Sequence, residues 1–449
     1  MKSVSRLKQL LFLVIGILWV SCCAQATSFE EIESSAPTKE ITLEEAINTA
    51  LRQNPDILRT KQELQRLEGV TVEVRAQALP KVSLHGEIGT QAKDLATGGL
   101  PFGQNESYWT SGVRIKQLLS VFGAVNAAID AGKLAQKKSF QNVQTAVDQT
   151  VYNIRTAFYN VLLNRSLIEV QQESVHLLEE ELANERHRLK AGAVTRFNTL
   201  RAEVELANAQ PPLIRAKNDY RLAIVNLTRL MGVNLNTSSQ SPFDPVGELE
   251  FTPVDYNLDQ VLSVAMANRP ELKASALQVE IEKKNIVVSR ADYYPSFSAV
   301  GGYDFRSNRF KEDLSSKLDG WSIGIQGNWN LFDGYLTKGK VQQAEASLAS
   351  AVVTAEEMRR NVDVEVRQAF SKLEEATELI TSQKKNVEQA EESLRLASAR
   401  LNAGAGTQID VLSAQVALTQ ARANELHARY DYNIALAQLD RATSVPVRK

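Results

Sequence analysis

The sequence predicts a mainly α-helical protein that also carries a transmembrane β-barrel portion, built from one unit made twice. Three observations lead there. Two proline-free runs of nearly 70 residues read as very long helices. Four segments of about ten residues alternate apolar and polar side chains, the signature of barrel strands. The order short helix, helix, two strands, very long helix, turn, helix occurs in both halves.

The 449 residues have 23% charged side chains and a formal net charge of −2. That balance lacks the basic surplus of a nucleic-acid binder, and no nucleic-acid partner is expected. Residues 1–26 read as a secretory signal peptide. Lys2, Arg6 and Lys8 lead an apolar run from Leu10 to Val20, and Ala24 and Ala26 occupy the small-residue positions of a cleavage site. The run is too short to cross a bilayer as a helix, which takes roughly 20 apolar residues. A lipoprotein signal using Cys22 is the alternative, with Trp19 against it. Cleavage after Ala26 removes both cysteines, Cys22 and Cys23, so disulfides contribute nothing to the exported chain. No later run of 18 apolar residues exists, so any membrane crossing must be by strands.

The first unit is expected over 27–231 and the second over 258–449. "LEEAINTALRQNPDIL" from Leu43 aligns with "LDQVLSVAMANRPELK" from Leu258. Pro55 and Pro80 match Pro270 and Pro295, Phe122 matches Phe332, Gly192 matches Gly404, and Tyr220, Leu227 and Arg229 match Tyr432, Leu439 and Arg441. Residues 232–257, rich in Pro, Ser and Asn, read as a linker or small insert.

Strands are expected near 80–91, 107–119, 295–306 and 320–332. Val82, Leu84 and Ile88 oppose Ser83, His85 and Glu87, and Trp109, Val113 and Ile115 oppose Thr110, Arg114 and Lys116. In the second unit Phe297, Tyr303 and Phe305 oppose Ser298 and Asp304. Trp321, Ile323, Ile325, Trp329 and Leu331 oppose Ser322, Gln326, Asn328 and Asn330. An antiparallel sheet on a soluble core is the plainer alternative. The loops "AKDLATGGLPFGQNE" and "SNRFKEDLSSKLD" are expected outside the cell.

Long helices are expected near 123–190 and 334–403, each about 100 Å long at 1.5 Å per residue. The second carries a 3-4 seam through Val341, Ala344, Leu348, Ala351, Ala355, Met358 and Val362. After a stutter it resumes at Val366 and runs through Leu373, Ile380, Val387 and Leu394 to Leu401. A seam of that length means coiled-coil packing, relaxed at the stutter. Each long helix turns at Ala-Gly-Ala into a helix near 196–231 or 408–442. Four strands cannot close a barrel, and lipid tolerates no open sheet edge, so several chains must share one. Two chains give eight strands and a filled interior, while three give twelve and a lumen.

No catalytic constellation is present. His85, His176, His187 and His427 are scattered without ligand spacing, so no metal and no cofactor are expected. With no phosphate loop, any energy must come from a partner. The many Glu and Lys positions on the helices read as solvated faces.

The mature chain, about 40–445, resembles the TolC family of outer-membrane efflux proteins. "LEEAINTALRQNPDI", "NRPEL", "LFDG" and the paired "AG…T…L" hairpins carry the resemblance. It implies a homotrimer in the outer membrane, with a twelve-stranded barrel continued by a helical coiled-coil tunnel through the periplasm. It also implies docking to a periplasmic adaptor protein and to an inner-membrane RND or ABC transporter. The function implied is the passive exit duct of a tripartite efflux system. The outer-membrane component of type I protein secretion is an alternative, and an exported adhesive coiled coil is an alternative of another class. The hairpin tips, Gly192, Ala193 and Thr195 with Gly404, Ala405 and Thr407, would meet the adaptor.

The resemblance also puts Asp410 at the closed pore aperture; a carboxylate favoured at a helix start is the plainer reading, and both can hold. Better-known family members have further aspartates where Ser413 and Asn198 stand, and a Tyr and an Arg where Leu401 and Gly406 stand. A charged lock of that design cannot operate in this chain.

Overall fold

The structure, a computed structural model, describes residues 39–91, 106–233, 243–254, 256–307 and 318–445. The expected signal peptide and nearly all of the two strand-connecting loops lie outside the described residues.

The first unit opens with β1 (Lys39–Ile41), α1 (Leu43–Gln53) and α2 (Pro55–Ala76). Thr42 and Glu45 form a capping box at the start of α1. Pro55 stands at the first position of α2, where its missing N–H has no helical partner to lose. Then come β2 (Lys81–Gln91), β3 (Glu106–Ser120), the 67-residue α3 (Ala124–Lys190) and the 36-residue α4 (Arg196–Met231). Helix α4 runs through Pro211 and Pro212. These withhold the donors that the carbonyls of Ala207 and Asn208 would use, and both residues are exposed to water.

β4 (Phe243–Pro245) pairs with β1. The segment after it is packed: Leu249 joins a core with Phe158, Val161 and Leu227, and Phe251 meets Tyr432 edge to face. The second unit repeats the order with α5 (Leu258–Asn268), α6 (Pro270–Arg290), β5 (Ser296–Ser307), β6 (Leu318–Asn328), the 67-residue α7 (Leu336–Asn402) and α8 (Gln408–Thr443).

The two units use one joint with different chemistry. In the first, Asn54 caps α2 and its Nδ2 donates to the Leu230 carbonyl at 2.8 Å, at the end of α4. In the second, the equivalent Arg269 is 2% exposed. It donates to Glu365 at 2.6 Å and to the Arg441 carbonyl at 3.2 Å, at the end of α8. Each joint ties the proline-led helix to the end of the returning helix.

The strands form one antiparallel sheet in the order β2-β3-β5-β6. Its register puts Val82, Ile115, Gly301 and Ile323 in one row, and Leu84, Val113, Tyr303 and Trp321 in the next. That face is bare, with Leu84 82% exposed and Ile323 79% exposed. An apolar surface of this kind suits lipid. β6 stops at Asn328, so Trp329 and Leu331 do not extend the strand as the alternation predicted. Its last partner, Ser296, follows Pro295, which offers no N–H to continue the ladder. Trp329 instead donates its indole N–H to the Tyr293 carbonyl at 3.1 Å.

Each strand pair leaves for its long helix through two consecutive left-handed residues. In the first unit these are Phe122 (φ 48°) and Gly123 (φ 85°), and in the second Gly334 (φ 67°) and Tyr335 (φ 70°). All the predicted seam positions of α7 are buried or half-buried, with Val362, Val366 and Ala369 fully so. Helix α3 packs against α1, α2, α4, α6 and α8, whereas α7 packs against α5, α6 and α8. Arg422 of α8 ties both long helices, donating to Glu173 of α3 at 2.7 Å and Glu391 of α7 at 3.0 Å.

Gly232 ends α4 at φ +77°, and a Cβ there would lie 2.3 Å from the Gln53 carbonyl oxygen. Gly232→Ala should destabilise the protein by about 2 kcal/mol or more. Gly339→Ala, where a Cβ meets only open space inside a helix, should be neutral or stabilising by up to about 1 kcal/mol. Equal thermal-unfolding midpoints for the two variants would contradict this account of the joint.

Candidate functional site

The two hairpin tips are built alike. α3 ends at Ala191 (φ −78°, ψ −2°) and α7 at Ala403 (φ −81°, ψ 0°). Gly192 and Gly404 follow, both at φ +74°. Ala193 N–H then returns to the Arg188 carbonyl and Ala405 N–H to the Arg400 carbonyl, each at 2.9 Å. Gly192 and Gly404 N–H groups return to Leu189 and Leu401 at 3.0 Å. This Schellman closure satisfies carbonyls that a helix end otherwise leaves orphaned. A Cβ on either glycine would meet nothing within 4 Å, so the left-handed backbone, not crowding, calls for glycine there.

The next residues separate the tips. Thr407 and Asp410 form a full capping box. Thr407 N–H donates to Asp410 Oδ2 at 2.9 Å, the Thr407 hydroxyl donates to the same oxygen at 2.8 Å, and Asp410 N–H approaches Thr407 Oγ1 at 3.3 Å. The Thr407 backbone N–H, its hydroxyl and then Arg400 hold the Asp410 carboxyl below the usual carboxylate range. At the first tip Thr195 makes no side-chain cap to the backbone; its hydroxyl donates to Asn198 Oδ1 at 3.1 Å. Asp410 and Ser413 are both exposed, three residues apart on one helix face, while Asn198 is half-buried. The structure therefore gives Asp410 the helix-start role and leaves its outer face open.

The reading of helix-borne glutamates as solvated fails just above the tips. Glu185 is 0% exposed between the helices, and Arg188 Nη1 donates to its Oε1 at 2.7 Å. It continues the 3-4 spacing of buried Ser174, Leu178 and Leu182 on α3, so the seam phase carried the signal. Gln408, the first residue of α8, is also buried, 6% exposed, and its side chain meets Glu181. Half-buried Glu181, one turn back, has its pKa raised by desolvation and then by the Glu185 charge, against a partial offset from Gln408 and Arg188. Higher up, Gln415 Nε2 reaches the Ser174 carbonyl at 3.5 Å. Polar groups thus stitch α3 to α8 where the tips meet.

In the sheet, Gly112 stands between His85 and Asp304 in one row. A Cβ there would lie 2.3 Å from Asp304 Oδ1. Its absence lets His85 Nε2 approach that oxygen to 3.1 Å across the intervening strand. Among the described residues no three His, Cys, Asp or Glu side chains converge as a metal site. No described helix is long and apolar enough to cross a membrane.

The sequence profile described as "Outer membrane efflux protein" matches residues 46–233 and again residues 261–445. The chain is 22% identical to the alkaline protease secretion protein AprF of Pseudomonas aeruginosa over 302 residues, 67% of this chain and 62% of that one. It thus spans less than two thirds of that relative's length. It is 20% identical to the outer membrane protein TolC of Vibrio cholerae over 419 residues, 89% of this chain and 90% of that one. Its fold superposes on the crystal structure of the Campylobacter jejuni CmeC outer membrane channel with a TM-score of 0.81 at 16% identity, covering 91% of this chain and 87% of that one.

Burial raises the Glu181 pKa, so this group favours the fold while it is protonated and ceases to as pH rises through the raised value. Glu181→Gln should therefore raise the thermal midpoint at pH 8 and change it little at pH 4. A variant that is less stable at pH 8 would mean the ionised carboxylate is stabilising there.

Proposed function

This chain belongs to the outer membrane efflux protein family, and we propose that three copies close head to tail into one export duct. As in its relatives, its strands form part of a barrel in the outer membrane and its helices form the tunnel beneath. The units 27–231 and 258–449, joined by 232–257, act as two copies of one stave.

The pattern of covered and uncovered flanks carries the reading. Helix α3 is flanked by α2 and α6, and further along by α4 and α8; α7 has α6 and α8 from the same set. By the repeat, the missing partners of α7 are the α2 and α4 of another copy. The sheet has the same need, because β2 and β6 are each paired on one side only. Joining β6 of one copy to β2 of the next covers both edges at once, as a cyclic assembly does. Twelve strands from three copies leave an open lumen.

The six tips so assembled are nearly equivalent and face away from the membrane. We assign Gly192, Ala193, Thr195, Gly404, Ala405 and Thr407 to docking a periplasmic adaptor, which links the duct to an inner-membrane RND or ABC transporter. The duct itself is passive. Asp410 and Ser413, with Asn198 on the neighbouring tip, line the aperture. Protein secretion is the second reading of cargo, favoured by the relative named for protease secretion. Deleting the gene and scoring both drug sensitivity and secreted proteins separates the two.

Gly404→Val should abolish export while the trimer still assembles, as judged by gel mobility of unboiled membranes. Loss of the trimer would make Gly404 a folding residue alone.

With Asp410 ringed at the aperture, like charges attract cations. Asp410→Ala should reduce cation preference and divalent block in planar bilayers, with the effect fading at 1 M salt, where screening acts within ~3 Å. Unaltered selectivity would turn Asp410 away from the lumen.

A further inference from the structure

The polar face of the sheet carries three cations that the fold does not require. Lys81 of β2 lies directly opposite Lys116 of β3, and Arg114 lies opposite Ser83 one row on. Side chains alternate along each strand, so all three point to the face opposite Leu84 and Ile115. All are exposed, and none has an ion-pair or side-chain hydrogen-bond partner among the described residues. Like charges directly opposite in neighbouring strands repel and weaken the pair.

The second unit shows what the same place looks like without them. There the corresponding pairs are Ser296 with Asn328 and Ser298 with Gln326. The serine of the second row is kept, while Lys81, Lys116 and Arg114 give way to Ser, Asn and Gln. An identical ladder is therefore built with no charge at all. Of the nearby carboxylates, Asp292 pairs with Lys340 and Asp333 accepts from Thr337, while Asp304, one row beyond Arg114, has its Oδ1 3.1 Å from His85 Nε2. The cations also sit at one height. Lys81 begins its strand just after α2, and Lys116 lies near the end of β3, just before α3. They mark the junction where the helical tunnel opens into the barrel.

We propose that Lys81, Arg114 and Lys116 form an anion-binding station on the lumen wall, and that the duct handles small organic anions bearing carboxylate or sulfonate groups. This rests on the reading of the chain as an export duct. Each copy of the chain contributes one cluster, separated from the next by the uncharged Ser296–Asn328 and Ser298–Gln326 rows of its own second unit. A cargo anion leaving the tunnel meets the clusters before it meets the barrel, and each cluster relieves its own repulsion by binding it. Guanidinium and ammonium donors suit such groups, with Arg114 able to grip one in two places.

The test is block of the purified full-length channel in planar bilayers at 0.1 M salt, with citrate as probe, added to each chamber in turn. Citrate added on the barrel side should reduce conductance, and less so as salt rises, because these charges are screened over ~10 Å at 0.1 M. The triple variant Lys81→Ser, Arg114→Gln, Lys116→Asn copies the second unit and should weaken block roughly tenfold, the loss of three exposed charge contacts. Arg114→Gln alone should weaken it in the same direction by less, which keeps the test alive if the triple variant fails to assemble. Block of equal strength in the variants, block from the tip side only, or an open channel indifferent to citrate would each overturn the station. A protein that forms no channel at all would overturn the duct reading itself.

Discussion

Backbone hydrogen bonding in a solvent without hydrogen bonds is the constraint on which the rest depends. Lipid cannot satisfy an edge strand, so a sheet of four strands with bare apolar Leu84 and Ile323 on one face has no stable life as a single chain. The need to close the sheet fixes how copies must stand beside each other. The helices below inherit that arrangement, which is why α7 can leave a flank uncovered. The 3-4 seams do the same work in water that the ladder does in lipid, with side-chain packing in place of hydrogen bonds.

Duplication lets one solution serve twice, and the differences between the copies show which features the fold demands. The backbone of the Ala-Gly turns is kept to within a few degrees, with both glycines at φ +74°. The cap behind each tip is free to vary, from a threonine–asparagine contact to a threonine–aspartate box. The joint before each proline is kept in position but changes from Asn54 to a buried Arg269 with two acidic neighbours. The charged row at the barrel mouth exists in one copy only. Geometry is shared where the assembly needs it, and chemistry diverges where it does not.

Much of this was legible in the residues. Prolines at 55, 80, 270 and 295 punctuate the chain, alternation marks the strands, and the α7 seam names its own buried positions. The end of β6 was not legible, because Trp329 and Leu331 keep the alternation going while Pro295 on the partner strand withdraws the ladder. Glu185 was misread for a related reason: a glutamate on a long charged helix looks solvated until its phase on the seam is counted. The helical passage through Pro211 and Pro212 ran against local propensity, since flanking turns and exposed carbonyls offset the lost donors. At the candidate site, the hairpins were visible as a repeated phrase. The capping role of Asp410 and the bridging row from His85 to Asp304 depend on atoms brought together by folding.

The elbows between strand and long helix carry a cost that the sheet and the helices must outweigh. Each needs two successive left-handed residues, and an L-residue held there costs roughly 1–2 kcal/mol, which glycine avoids. One unit uses Phe122-Gly123 and the other Gly334-Tyr335, so each elbow keeps one aromatic residue in the left-handed region. The rings return something for that strain: Phe122 stacks on Tyr294, and Tyr335 meets Phe332 edge to face. A second glycine would relax each bend and forfeit the contact that fixes its angle, so the elbow is a stiff corner between membrane and water, not a loose hinge.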